Sequence, residues 1–119
     1  MKNLNIIIAL FLIALTTSCV QKTYQRTVVF NLDVKGIRNV YKVGIRGENK
    51  PLNWNRDLEM KISKDSTYTT TVTFETGYKF VQFKFVVNDI FEFQNQDNRR
   101  VYFNENRITV VDAKFNVTK

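Results

Sequence analysis

The stretch Phe80–Asn88, FVQFKFVVN, decides how this chain is read. Val81, Phe83, Phe85 and Val87 fall at every second position, with Gln82 and Lys84 between them. Successive side chains of a strand point to opposite faces, so this spacing predicts a strand with one face in a core. Asn88-Asp89 follows and predicts a tight turn. Working outward, the same alternation recurs. Thr27–Val34 puts Val28, Phe30, Leu32 and Val34 on one face. Thr67–Phe74 puts Tyr68, Thr70, Val72 and Phe74 opposite a row of threonines. Val40–Arg46, Leu58–Ile62, Phe91–Gln94, Val101–Phe103 and Ile108–Phe115 are shorter strand candidates. Gly47 opens a loop through ENKPLNWNRD, residues 48–57. No stretch has a helical period. Seven or eight short strands, with turns every eight to twelve residues, predict an all-β, antiparallel sandwich of immunoglobulin-like type. A small closed barrel is the second choice.

The first 19 residues, MKNLNIIIALFLIALTTSC, read differently. Lys2 gives a positive start, Ile6–Leu15 is unbroken apolar sequence, and Thr16, Thr17 and Ser18 are small. This is the layout of a secretory signal peptide. The apolar run is shorter than the roughly 20 residues that a membrane-spanning helix needs. Cys19 is the single cysteine, so it has no partner for an intrachain disulfide. Its place directly after the small residues resembles the lipobox of bacterial lipoproteins. That resemblance implies cleavage before Cys19 and lipidation of Cys19. The expected organisation is a signal peptide over 1–18, a lipidated cysteine and tether over 19–26, and one domain over 27–119. The expected location is the bacterial cell envelope, with the acyl chains as the membrane anchor.

Composition excludes several classes of chemistry. The chain has no histidine, so it offers no histidine-based triad and no histidine metal site. Past the signal peptide the only serines are Ser63 and Ser66, in a polar, turn-like stretch. No glycine-rich phosphate loop is present. Eleven acidic residues leave a carboxylate-pair glycosidase formally open, but no spacing singles out a pair. The reading is therefore non-enzymatic, with no cofactor and no metal. The formal charge is +7, or +6 once Lys2 is removed. That suits an anionic partner, yet the basic residues are scattered and only Arg99-Arg100 are adjacent past the tether. A solvated basic surface is the simpler account, and it holds for both arginines.

Three segments carry a further resemblance: VGIRGENKPLNWN at 43–55, VQFKFVVNDIFEFQ at 81–94, and NRR at 98–100. In this order they resemble the starch-binding modules of family 20 and the glycogen-binding modules of family 48. The resemblance implies a sandwich that binds α-1,4-glucan on its surface. Residue by residue, it gives glycan-binding roles to Trp54, Lys84, Phe93 and Asn98. Flat rings would stack on the C–H faces of the sugar, and lysine and amide groups would meet its hydroxyls. The second platform is Phe rather than Trp, Gln82 stands where an acid is usual, and Asp97 where proline is common. Phe91 is the alternative to Phe93, because an unbroken strand would project both to one face. Two other functions fit the same chain. One is a protein-interaction lipoprotein with no sugar site, docking through exposed strand edges to a membrane-associated partner. The other is a basic binder of nucleic acid or lipid headgroups, ranked last.

Overall fold

The computed structural model describes residues 22–105 and 107–118. The expected signal peptide and the lipidation of Cys19 lie outside them. Among the described residues nine strands follow in chain order: β1 (Tyr24–Asp33), β2 (Val43–Gly47), β3 (Leu58–Glu59), β4 (Lys61–Lys64), β5 (Thr67–Thr76), β6 (Phe80–Val87), β7 (Ile90–Phe91), β8 (Arg99–Tyr102) and β9 (Thr109–Lys114). They form two sheets, a β-sandwich rather than a closed barrel. The first sheet has the order β4-β5-β1-β9. The second has the order β3-β2-β6-β7, and β8 also pairs with β6.

The alternation seen in the sequence builds the core. Val28, Phe30 and Leu32 of β1 and Val72 and Phe74 of β5 point inward from the first sheet and are buried. Val81, Phe83, Phe85 and Val87 of β6 meet them from the second. Phe30 sits at the centre. Its ring lies 4.9 Å from that of Phe83, 6.4 Å from Phe85 and 6.5 Å from Phe74, all edge to face. Such geometry suits the quadrupoles of the rings and adds to the burial of their area.

Three features depart from the expected strands. β1 begins at Tyr24, paired with Thr76, so the last three residues of the expected tether are strand. The expected strand Leu58–Ile62 is two strands in different sheets, because β3 pairs with β2 and β4 pairs with β5. The chain changes sheet at Met60, which is buried and whose N–H donates to the carbonyl of Val43. Finally, the sandwich is not wholly antiparallel. β9 runs parallel to β1, from Val28 opposite Thr109 to Asp33 opposite Lys114. A parallel pair needs a long crossover, which the whole chain between β1 and β9 supplies.

The second sheet is interrupted where the candidate site lies. β6 pairs with β7 at Val86 and Val87, and with β8 from Phe80 to Phe83. Between those contacts the chain leaves the sheet over residues 92–98. Phe93 and Asn95 have positive φ there, 49° and 60°. Asn88 and Asp89, at 52° and 65°, make the two-residue hairpin between β6 and β7. Positive φ at both central residues is what such a turn demands, and Asn and Asp tolerate it best after glycine.

Candidate functional site

Two loops meet on the outer face of the second sheet. The first carries Trp54. Leu52 anchors it, buried at 3 % exposure beneath Gly47. A Cβ on Gly47 would stand 2.7 Å from Leu52 Cδ1 and from the carbonyl oxygen of Gln82, so the close approach needs glycine. Asn53 Oδ1 accepts from the N–H of Asn55 and closes a tight turn around Trp54. Arg46 of β2 donates from Nη1 to the Trp54 carbonyl at 3.2 Å and from Nε to Asp57 at 2.6 Å. Its guanidinium also lies over the Phe91 ring at 5.0 Å. Asp57 Oδ2 has the Lys42 ammonium at 3.5 Å as an ion pair without a hydrogen bond. Lys42 also pairs with Asp89 at 2.9 Å. The hydrogen bond to Asp89, then the charge of Asp57, hold Lys42 above the ordinary lysine value.

The second loop is the excursion over 92–98, and its foundation is Glu92. This side chain is fully buried. Its Oε2 accepts from the N–H of Phe85 at 2.9 Å, and its own N–H donates to the Phe85 carbonyl. It therefore replaces the strand partner that β6 lacks at Phe85. Arg99 grips the same carboxylate with two bonds, 2.7 Å from Nε and 2.9 Å from Nη2. Nη2 also donates to the carbonyls of Lys114 and Val117, and the guanidinium covers Phe85 at 5.5 Å and Phe93 at 4.8 Å. The expectation of a solvated Arg99 is thus corrected. In the β6–β8 register Arg99 lies opposite Phe83, on the core side, and Arg100 lies opposite Gln82, on the outer side.

Between the loops is a cleft of about 480 Å³, lined by Trp54, Lys84, Phe91, Asn98 and the polar side chains Asp89, Gln94 and Asn95, with Ile90 at one end. Trp54 and Phe91 form its apolar wall. Their ring centroids are 6.4 Å apart and the planes are inclined by 52°. Both rings are half-buried, resting on the sheet and open to the cleft.

Of the four residues expected to bind glycan, the structure brings three to this cleft: Trp54, Lys84 and Asn98. Phe93 is not among its walls. It is only 8 % exposed and packs under Arg99. The unbroken strand that would have projected Phe91 and Phe93 to one face ends at Phe91, so Phe91 takes the place beside Trp54. Lys84 also differs from expectation. It is 9 % exposed, and its Nζ donates to the carbonyls of Phe93 at 2.9 Å and Gln96 at 3.0 Å. An ammonium has three donors, so two of them hold the excursion in place and one is left for the cleft. Asn98 is exposed, and its Nδ2 donates to Gln82 Oε1 at 3.2 Å. Gln94 and Asn95 match no motif, and the amide-rich stretch QNQDN at 94–98 is their only signal in the sequence. Among the described residues no group of acidic or sulfur side chains could hold a metal ion. No protein-family model matches the chain, and no curated protein is significantly similar to it.

Proposed function

We propose that this chain is a lipid-anchored, non-catalytic glycan-binding module of the bacterial cell envelope. Its ligand is α-1,4-glucan, taken in the cleft between Trp54 and Phe91. The observation that carries this reading is the tilted aromatic pair flanked by three amide side chains, Gln94, Asn95 and Asn98. Rings inclined by 52° make an apolar wall of two faces at an angle. An α-1,4 chain curves, so its successive C–H faces are inclined to one another and can follow such a wall. A flat β-1,4 chain suits coplanar rings instead. The amides then supply donors and acceptors for hydroxyls. Asp89, a carboxylate at the edge of the cleft, is held by Lys42 at 2.9 Å.

Retention on insoluble starch, with cellulose as the control, tests the reading. Starch should retain the protein and cellulose should not. Retention on neither matrix would remove the glycan reading in favour of the protein-interaction one. The anchor has its own test. Cys19→Ala should release the protein from membranes or block its processing. A Cys19→Ala protein that is cleaved normally and stays membrane-bound would end the lipoprotein reading.

A further inference from the structure

The outer face of the second sheet continues beyond the cleft. Lys84, Gln82 and Phe80 alternate with the core residues of β6 and so share this face. β8 pairs alongside, with Arg100 opposite Gln82 and Tyr102 opposite Phe80. Here a second aromatic group stands. The Phe80 and Tyr102 rings are 5.2 Å apart and inclined by 40°, and the Arg100 guanidinium covers Phe80 at 5.2 Å. Tyr102 is 62 % exposed, so its ring packs against Phe80 and keeps an open surface. A hollow of about 270 Å³ lies between this group and the cleft, lined by Gln82, Gln96, Asp97, Asn98 and Arg100. Asn98 lines both spaces, so the two adjoin. The floor between the aromatic groups is mostly amide: Asn98 donates to Gln82, and Gln82 Nε2 to Glu48 at 3.3 Å.

We infer that Tyr102 is a second stacking platform for the same glycan chain, so that the site takes an extended oligosaccharide lying along β6. Phe91 sits opposite Val86 and Tyr102 opposite Phe80. Six residues of strand separate the two rows, about 20 Å at roughly 3.3 Å per residue. That is a span of several sugar residues. A trisaccharide fills the Trp54 end alone, and a heptasaccharide reaches both platforms. Aromatic contacts at the two ends, with hydrogen-bonding amides between, match a polymer that repeats one apolar face and many hydroxyls. This inference rests on the glucan reading of the cleft.

Calorimetric titration of the full chain, in a detergent without a sugar headgroup, separates the two ideas. The probes are maltotriose and maltoheptaose. The unaltered protein should bind maltoheptaose about tenfold more tightly than maltotriose. Tyr102→Ala should weaken maltoheptaose binding by about five- to tenfold, the loss of one stacking contact, and leave maltotriose unchanged. Tyr102→Phe keeps the ring and should keep the long-chain affinity. If Trp54→Ala abolishes binding of both sugars while Tyr102→Ala alters neither, the cleft stands and this extension falls. Equal weakening of both sugars by Tyr102→Ala also overturns it, since that pattern reports a disturbed cleft rather than a lost platform. Binding of neither sugar by the unaltered protein overturns the glucan reading and this inference together.

Discussion

Replacing Glu92 by Ala is expected to cost about 3–5 kcal/mol, measured as a shift of the denaturant midpoint with little change in slope. The reason is what the substitution leaves behind. The Phe85 N–H, inside the second sheet, loses its acceptor. Arg99 keeps its carbonyl partners at Lys114 and Val117 but loses the carboxylate that balanced its charge. An uncompensated charge in a mostly buried place is the expensive outcome, far more so than the absence of the whole pair. The double substitution Glu92→Leu with Arg99→Leu should therefore be less damaging than Glu92→Ala. A double-mutant cycle on the two residues should show strong coupling, since both act on one network. Additive losses would mean that the ion pair is not the strut it looks to be. If the cleft takes glucan as proposed, Glu92→Ala should also weaken that binding, because the carboxylate is the footing of the loop that carries Gln94, Asn95 and Asn98.

Phe30→Ala should be comparably severe, at about 3–5 kcal/mol. Phe30 is fully buried and packs against aromatic rings from both sheets, so its removal opens a cavity between them. A domain of this size has about 5–15 kcal/mol in all, and Phe30→Ala would take a large share of it. Phe30→Leu fills much of the space and should cost less. The comparison separates lost volume from lost ring geometry. A Phe30→Ala protein with an unchanged melting temperature would contradict the packing described here.

Much of the fold was legible because the sandwich depends on alternation. Phe83, Phe85, Phe30 and Phe74 announce their faces by spacing alone, and Asn88-Asp89 announces its turn by residue type. The limits of that legibility are equally physical. Met60 lies in the middle of one apparently continuous strand, and nothing local says that Leu58 and Ile62 belong to different sheets. Alternation also assumes an unbroken strand. It fails at Phe93, where the backbone turns to positive φ and the ring goes beneath Arg99 rather than beside Trp54. Alternation puts Lys84 on the face of β6 away from the core, where a surface position is expected, yet it is only 9 % exposed. Its engagement with the carbonyls of Phe93 and Gln96 depends on a loop folding back over it, and a strand pattern carries no sign of that. Arg99 and Arg100 are neighbours in sequence with opposite environments. The β6–β8 register decides this, and only the partner strand reveals it.

Trp54 gives the most direct measurement, because it is the only tryptophan and it forms one wall of the cleft. Its fluorescence should change as maltoheptaose is added and reach saturation. The midpoint should be nearly the same at low and high salt, since the ligand is uncharged. Phe91→Ala should weaken that titration strongly, whereas Phe93 should matter only through stability. Emission that ignores maltoheptaose at every concentration, or Phe91→Ala leaving the titration unchanged, would contradict a glucan site between these two rings.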